Sequence, residues 1–333
     1  MRYSLFSLLR QTSSRHRGWT PAWRDAAPKP GYDVIIVGGG GHGLAAAYYL
    51  AKVHGITNVA VLGKRWIGSG NAGRNTTIIR SNYLLPGNNP FYEWSMKLWE
   101  GLEQDINYNA MVSQRGVLNL YHSDAQRDAY ARRGNAMRMH GVDAELLDTA
   151  GVRQMLPFLD FENARFPVLG GLLQRRGGTA RHDAVVWGYA RAASDLGVDI
   201  IQNCEVTGFV REGERIVGVQ TSRGVIRAAN VCESGMALIP SLGRVRMLRS
   251  WGGIMDMSMD GSPIIDRTPI DGLYLNAGWC YGGFKATPAS GWCFAHLLAN
   301  DQAYPVARAY RLDRFASGHL IDENGQGAQP NLH

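Results

Sequence analysis

Short apolar runs and glycine turns follow one another in the first part of the chain. Residues 34–37 are apolar without alternation, which is typical of a parallel strand buried on both faces. Residues 44–52, rich in alanine and tyrosine, predict a helix, and residues 59–62 predict a second buried strand. Strand, helix and strand in this order indicate one βαβ unit of an α/β fold.

A similar pattern returns near the C-terminus. Residues 273–276 predict a strand, a glycine-rich turn follows, and residues 287–299 predict a helix. Between the two units, residues 184–196 and 233–245 predict helices, and residues 224–232 predict a strand. The fold class that we predict is α/β, with a Rossmann-like domain of parallel strands and helices.

The turn after the first strand carries a dinucleotide-binding pattern. Gly38, Gly40 and Gly43 form G-x-G-x-x-G between a predicted strand and a predicted helix. In this context the backbone N–H groups at the helix N-terminus bind a pyrophosphate. The alternative is a glycine turn without a ligand, which the complete strand, helix and strand unit disfavours.

The second strand ends on a glycine instead of an acid. In dinucleotide-binding folds a carboxylate about 20 residues past the last glycine binds the ribose hydroxyls. That position is Gly63. Loss of a charge-assisted hydrogen bond costs about 1.5–3 kcal/mol, so we expect weaker dinucleotide binding that is still present.

Composition narrows the function classes. The chain has 333 residues, 45% of them apolar, and a net charge of +7 without a lysine or arginine run, which is a weak signal for nucleic acid. Its four cysteines form no C-x-x-C pair, so no metal site and no disulfide framework is indicated. No apolar run approaches the roughly 20 residues of a membrane span. We expect a cytoplasmic protein.

Residues 1–30 form a basic tail without an acid before Asp25. Such a composition also suits a transit peptide. We prefer a tail that packs on a partner chain, because Trp19 and Trp23 are costly to expose. Pro28 and Pro30 mark a linker into the first strand.

Several stretches together resemble one bacterial family, the beta subunits of heterotetrameric sarcosine oxidases, within the D-amino-acid-oxidase-like flavoproteins. Besides the first βαβ unit, the stretches that carry the resemblance are RNTTIIRSNY, SQRGVLNL, GVDIIQNCEVTGF, RSWGGIMDMSMDGSPIID, GWCYGGFKATP and DRFASGHLIDENG. The resemblance implies an FAD-binding domain at 31–84, 164–231 and 262–300. It implies a reduced antiparallel-sheet substrate domain at 85–163 and 232–261, and a C-terminal tail at 301–333.

The resemblance also implies cofactors, partners and a reaction. The cofactors are non-covalent FAD and a covalent FMN, and the partners are alpha, gamma and delta subunits. The reaction is oxidation of sarcosine to glycine. The methyl carbon leaves as formaldehyde or passes to tetrahydrofolate through the alpha subunit, and oxygen becomes hydrogen peroxide. The family's relatives with a covalent FAD carry their cysteine near Gly253 and Ile254, where this chain has no thiol.

Individual residues match the family's functional positions. Arg80 matches the arginine that binds the substrate carboxylate, Lys285 a lysine over the flavin, and His182 the histidine that carries FMN. The alternatives are a surface arginine paired with an acid, a lysine that caps a turn, and a histidine that caps a helix. Cys280 is interpreted as a small buried residue. The cofactor-binding residues that the resemblance implies are Gly38, Gly40, Gly43, Arg74, Asn75, Thr76, His182, Val206, Gly282, Gly283, Phe284 and Lys285.

Two departures from the family matter. Gly63 stands where the family has a glutamate, and the chain near residues 231–234 is several tens of residues shorter than the family pattern. The missing segment would include the family's acid–base histidine and much of the substrate sheet. The alternatives therefore include a non-catalytic or defective assembly subunit, and an oxidase of another secondary amine such as an opine. A nicotinamide-dependent dehydrogenase is disfavoured by the C-terminal glycine turn.

Overall fold

Parallel strands form the centre of the molecule, as the apolar runs predict. The computed structural model describes residues 4–15, 17, 21–24, 26–162, 164, 166–233 and 256–321. The helices in these ranges are α1 Leu5–Ser13, α2 Gly41–His54, α3 Asn89–Asp105, α4 Asp124–Met139, α5 Thr149–Met155, α6 His182–Asp195, α7 Gly283–Asn300 and α8 Arg314–Ser317. The strands are β1 Gly31–Val37, β2 Val59–Leu62, β3 Ile78–Ile79, β4 Val117–Tyr121, β5 Glu145–Asp148, β6 Gly170–Gln174, β7 Gly178–Thr179, β8 Asp199–Ile201, β9 Val206–Glu212, β10 Arg215–Thr221, β11 Gly224–Glu233, β12 Ile264–Arg267 and β13 Leu273–Ala277.

The main sheet has the strand order β12-β13-β11-β1-β2-β8. The strands from β13 to β8 are parallel, and Val34 of β1 lies opposite Asn230 of β11 and Val59 of β2. β12 pairs antiparallel with β13, while β9 and β10 extend β11 as an antiparallel arm. The predicted α/β class with a parallel central sheet is confirmed.

Two helices of small residues cover the sheet beside the first strand. α2 buries Ala45, Ala46 and Ala47 completely, and Gly291 of α7 lies so close to Ala45 that a Cβ there would overlap it. Small side chains let two backbones approach each other, as they do here. Because β1 and β13 are parallel and each feeds one of these helices, both helices begin at the carboxyl edge of the sheet.

α7 begins one turn earlier than the sequence predicts. The sequence predicts that the helix begins at residue 287. In the structure it begins at Gly283, and Pro288 lies inside it. A proline inside a helix removes one backbone hydrogen bond. Here α3 supports the first turn, because Ser95 Oγ and Trp99 Nε1 donate to the Lys285 carbonyl at 2.6 and 2.9 Å.

A smaller antiparallel sheet lies outside the parallel one. Its strand order is β4-β6-β5, and α4 packs on it through Tyr130 and Met137, next to Tyr121. β6 lies within the range 164–231 that we assigned to the FAD-binding domain, and this assignment stays a prediction. β6 pairs with β4 and β5 because its buried apolar residues complete their sheet. The other domain bounds stay predictions.

Among its described residues, the N-terminal tail contacts the body near its end. Asp199 is buried and binds Arg24 at 2.9 Å, Lys29 at 2.8 Å and the Tyr32 hydroxyl at 3.1 Å. Trp23 packs partly on the core. α1, in contrast, has no buried residue. A partner for the tail stays a prediction, and Trp19 and Asp25 lie outside the described residues.

The described part of the C-terminal tail is closed by a buried ion pair. Arg314 donates to both Asp260 oxygens at 2.8 and 2.9 Å, and the Ile321 amide donates to the same carboxylate. Burial raises the pKa of Asp260, but the Arg314 hydrogen bonds and the backbone N–H groups outweigh it and hold that pKa below its ordinary value. The predicted helix at 233–245 lies, apart from Glu233 at the end of β11, outside the described residues. The positions of Gly253 and Ile254 also lie outside them.

Candidate cofactor and substrate site

Two glycine turns meet at the carboxyl edge of the parallel sheet. One follows β1 and contains Gly38, Gly40 and Gly43, and the other follows β13 and leads into α7 through Gly282 and Gly283. A Cβ on Gly41, at the start of α2, would lie 3.2 Å from the Thr287 side chain of α7. The structure therefore brings together two turns that are about 240 residues apart in sequence.

The first turn has the geometry of a pyrophosphate cradle. Gly38 has φ +119° and donates its N–H to the Leu62 carbonyl at 2.8 Å. A Cβ on Gly43 would overlap the Gly38 carbonyl oxygen, so only glycine fits there. A Cβ on Gly40, in contrast, would meet no atom within 4 Å. Open space at the N-terminus of α2 fits the diphosphate of FAD.

Gly63 lies beside this cradle, as the sequence predicts for the ribose-binding position. It follows β2 directly, its N–H donates to the Ile201 carbonyl at 2.9 Å, and its Cα lies 3.7 Å from a Cβ built on Gly39. A Cβ on Gly63 would lie 3.0 Å from the Arg65 carbonyl oxygen. A side chain at this position therefore requires a small shift of the following turn.

The loop after β2 returns to the cradle before it reaches Arg74. The Gly68 amide donates to the Gly39 carbonyl at 3.0 Å. Asn75 shapes the next turn, since its side chain donates to the Ala72 carbonyl at 2.6 Å and accepts from the Thr77 amide at 2.7 Å. The Arg74 and Thr76 side chains are exposed. Their contacts with FAD stay predictions.

Val206 and His182 reach the same neighbourhood from two other elements. Val206 begins β9, two residues after Cys204, whose amide donates to the Gly63 carbonyl at 2.8 Å. His182 is the first residue of α6, and its Nδ1 is enclosed without a hydrogen-bond partner among the described residues. The Ala180 amide donates to the Thr77 carbonyl at 3.0 Å, so His182 lies near the loop that carries Asn75.

Arg80 and Lys285 approach one aromatic ring. The Arg80 guanidinium carbon lies 5.5 Å from the Tyr83 ring centroid, and the Lys285 Nζ lies 6.0 Å from it. Arg80 donates to the Asn82 side chain, and Lys285 Nζ donates to the Tyr281 carbonyl at 2.7 Å. Among the residues that the structure describes, neither cation forms an ion pair.

Burial changes the pKa values of Lys285 and of the neighbouring Tyr92. Lys285 is buried, and burial together with the nearby charge of Arg80 holds its pKa well below the ordinary value. Tyr92 stacks on Tyr83 with ring centroids 3.9 Å apart, and burial raises its pKa well above the ordinary value. Neither Arg80 nor Lys285 has an ion-pair partner among the residues described, and these free donors suit a small carboxylate.

Sequence reasoning missed four aromatic residues that build this site: Tyr83, Tyr92, His42 and Trp279. Tyr92 fills the space beside Gly282, where a Cβ would overlap the Tyr92 hydroxyl. His42 stacks on Trp279. The sequence signal for His42 is a polar ring among the glycines and alanines at the start of α2.

Asp256 holds the second glycine turn. Its carboxylate accepts from the Gly278 and Trp279 amides at 2.8 and 3.1 Å, and its carbonyl accepts from the Cys280 amide at 3.1 Å. Cys280 is half-buried, and burial raises the pKa of its thiol. The prediction of a small buried residue therefore holds only in part, since the Cys280 thiol lies inside the turn but is not fully buried.

Two absences hold for the described ranges. They contain no group of three or more His, Cys, Asp or Glu side chains that could hold a metal ion. None of the helices described above is both long enough and apolar enough to cross a membrane.

Comparison with known proteins identifies what the chain is similar to. The family model described as DAO, FAD dependent oxidoreductase, matches residues 33–234 and 226–297. A protein of Rhizobium meliloti (strain 1021) named sarcosine oxidase subunit beta is 62% identical, and the alignment covers 100% of both chains. A protein of the same name from Rhodobacter capsulatus is 42% identical over 97% of this chain and 98% of its own.

A solved structure shares the fold. L-proline dehydrogenase from P. horikoshii superimposes with a TM-score of 0.80 at 21% identity, over 88% of this chain and 100% of that chain.

The alignment with the Rhizobium meliloti relative is 416 positions long, 83 more than the 333 residues of this chain. The two family-model matches overlap at 226–234, which agrees with a shortening near that point.

Proposed function

Because the chain belongs to the FAD dependent oxidoreductase family and, within it, to the sarcosine oxidase beta subunits, we propose that it oxidises sarcosine to glycine. The proposal includes assembly with alpha, gamma and delta subunits in the bacterial cytoplasm. The co-products are hydrogen peroxide and either formaldehyde or, with tetrahydrofolate bound by the alpha subunit, methylenetetrahydrofolate.

One observation carries the choice of an amino-acid-like substrate. Arg80 and Lys285 face the Tyr83 ring without an ion-pair partner among the described residues, next to the turn that leads into α7. A guanidinium binds a carboxylate through two parallel hydrogen bonds, and an ammonium adds a third donor. The pair would therefore anchor the carboxylate of sarcosine and leave its N-methyl group to react.

When bound in the cradle, FAD would supply a two-electron acceptor for the oxidation of the N-methyl carbon. Gly38, Gly40 and Gly43 would hold its diphosphate, and Gly282 and Gly283 would lie beside its ring system. Arg80 and Lys285 orient the substrate. Burial of Lys285 excludes water from the anchor, and exclusion of water strengthens the attraction between its charge and the carboxylate.

Anaerobic mixing of the FAD-loaded protein with sarcosine tests this function. Sarcosine is expected to bleach the visible flavin absorbance. Lys285→Met should raise the sarcosine concentration for half-maximal rate by about ten- to a hundredfold, because one charge-assisted hydrogen bond is lost. Lys97→Met, an exposed lysine of α3, is the matched control and should behave as wild type. Bleaching by an opine and not by sarcosine would contradict the substrate assignment.

Carboxylate binding is expected to depend on pH through Lys285. A bound carboxylate favours the ammonium form, so binding raises the lowered pKa of Lys285 and takes up a proton. The Kd of methoxyacetate, an amine-free analogue of sarcosine, should be lowest below the pKa of the free site. Between the pKa of Lys285 in the free protein and its higher pKa in the complex, the Kd should rise by about tenfold per pH unit. Titrations followed by flavin absorbance measure the Kd at each pH. The dependence of the Kd on pH should vanish in Lys285→Met. An equal slope in both proteins would contradict it.

His182 is proposed to carry covalent FMN. Its Nδ1 is enclosed without a hydrogen-bond partner among the described residues, and the ring is half-buried at the start of α6. Because Nδ1 is enclosed, the nitrogen that would bond to the 8α-methyl carbon of the flavin is Nε2, which is not among the enclosed atoms. After co-expression with the partner subunits, acid-precipitated beta chain should stay fluorescent, and His182→Ala should lose that fluorescence. His140 is an exposed histidine, and the control variant His140→Ala should retain the fluorescence. Retained fluorescence in His182→Ala would refute the attachment.

A non-catalytic assembly subunit is the second candidate. The observation that favours it is the 83 aligned positions of the Rhizobium meliloti relative that have no residue here. Absence of bleaching by any secondary amine, in a chain that binds FAD and its partners, would support this candidate.

A further inference from the structure

A buried polar segment follows Arg80 along the chain. Ser81 and Asn82 come directly after it, and both are buried. The Ser81 amide donates to Gln174 Oε1 at 2.9 Å, and Gln174 Nε2 donates back to Ser81 Oγ at 2.7 Å. The Ser81 hydroxyl donates to Glu93 Oε2 at 3.0 Å. A buried and satisfied hydrogen-bond network holds its members in one arrangement, so the backbone next to Arg80 is fixed to β6 and α3.

Two asparagines connect the Arg80 side chain to the smaller sheet. Arg80 Nη1 donates to Asn82 Oδ1, and Asn82 Nδ2 donates to Asn119 Oδ1 at 2.7 Å. Asn119 lies in the middle of β4, where it is paired with Leu172 of β6. A rotated Asn82 amide would direct its NH₂ group at the guanidinium, and both of these groups can only donate. The acceptor on Asn119 therefore determines which end of the Asn82 amide faces Arg80.

The contact with Asn82 leaves the charge of Arg80 uncompensated. The amide is neutral, so it orients the guanidinium without forming an ion pair. Glu93, the acid in the same buried network, pairs instead with Arg176 at 2.5 Å. Within the described ranges Arg80 has no ion-pair partner. The neutral side chain at position 82 thus fixes the guanidinium and leaves its full charge for a ligand.

We propose that Asn82 and Asn119 are positioning residues for substrate binding. Asn119 orients the Asn82 amide, and the amide oxygen holds the Arg80 guanidinium in place for the substrate carboxylate. Both asparagines act through Arg80 and not by contact with the substrate. The inference rests on the proposed function, in which Arg80 binds the carboxylate of sarcosine. It adds that a neutral side chain at position 82 is required, because an acid there would compete with the substrate for the same guanidinium.

Asn82→Asp tests the neutral contact without turnover, since the two side chains have nearly the same shape. The new carboxylate would pair with Arg80. The Kd of methoxyacetate for the FAD-loaded protein should therefore rise by about ten- to a hundredfold, as for one lost charge-assisted hydrogen bond.

Asn135→Asp is the matched control. Asn135 is exposed on α4, and its Oδ1 accepts from Arg138 Nη2 at 2.5 Å, so the control also converts an Arg–Asn contact into an Arg–Asp pair. It should bind methoxyacetate as wild type does. Thermal unfolding shows whether each variant is folded.

A double-mutant cycle with Arg80 separates positioning from a merely structural role. Asn119→Leu removes the acceptor for the Asn82 amide, and the Kd of methoxyacetate should rise by about two- to tenfold, as for one lost neutral hydrogen bond. In an Arg80→Met background the same change should leave the already weakened Kd unaltered. An equal loss in both backgrounds would show a structural role and overturn the proposal.

The outcomes distinguish this inference from the proposed function. If Arg80→Met weakens binding while a folded Asn82→Asp binds methoxyacetate as wild type does, the inference is overturned and the carboxylate anchor stands. Failure of the FAD-loaded wild type to bind methoxyacetate would refute the anchor, and the inference with it.

Discussion

Gly43→Ala is expected to destabilise the apoprotein, because its Cβ would overlap the Gly38 carbonyl oxygen. A backbone atom at the end of β1 cannot rotate away as a side chain can, so α2 must move off the sheet. Overpacking of this kind costs about 1–3 kcal/mol. Displacement of α2 also moves the N–H groups that would bind the diphosphate, so FAD affinity should fall with stability.

Gly40→Ala is the matched variant that separates the two effects. Gly40 has extended backbone angles that alanine adopts without strain, and its Cβ would meet no protein atom within 4 Å. The free energy of unfolding in urea should therefore change by less than about 0.5 kcal/mol. The methyl group would instead occupy the space of the diphosphate, and the Kd for FAD should rise by about a hundredfold or more. Equal stability losses in the two variants would contradict this division.

Restoring the missing segment is expected to accelerate flavin reduction by about a hundredfold at sarcosine concentrations below half-saturation. The segment is the part of the Rhizobium meliloti relative that has no counterpart here, and we place it after Glu233 at the end of β11, where the two family-model matches overlap. Lys285 is already buried, whereas Arg80 is only half-buried, so the added residues would shield the Arg80 side of the anchor from water. At 4 Å, raising the effective dielectric constant from about 20 to about 80 removes about 3 kcal/mol of attraction between unit charges. About 1.4 kcal/mol corresponds to tenfold in rate.

Stopped-flow measurement of FAD reduction in the two chains, each assembled with its partner subunits, checks this expectation. A glycine–serine insertion of equal length is the control for chain length, and its rate should stay at that of the shorter chain. Comparable rates with and without the native segment would show that the shorter chain encloses its site. No reduction in any of the three proteins would refute sarcosine as the substrate and leave the role of the segment untouched.

Local chemistry explains why the cradle was predictable from the sequence. Gly38, Gly40 and Gly43 would bind a diphosphate through their own backbone, and the buried strands β1 and β2 show in short apolar runs. The resemblance then pointed to Arg80 and Lys285. The structure adds that both approach the same tyrosine ring.

Contacts between distant segments were not predictable in the same way. The start of α7 at Gly283 depends on α3, whose Ser95 and Trp99 donate to a carbonyl almost two hundred residues away. The stack of His42 on Trp279 depends on a buried network at Asn276. No periodicity or motif encodes such pairs, since each side chain is ordinary in its own segment.

The sequence by itself determined the α/β class, the cradle glycines and the identity of the cations. Backbone freedom, apolar periodicity and side-chain charge are properties of single residues or short windows, and they survive without knowledge of the fold. Only the tertiary structure decided that β6 joins the smaller sheet, that Lys285 is buried beside Arg80, and that His42 stacks on Trp279 of the second glycine turn. The burial of a side chain and the pairing of a strand depend on which distant segments the fold brings together. Burial and neighbouring charges in turn set the pKa values of the side chains in the site.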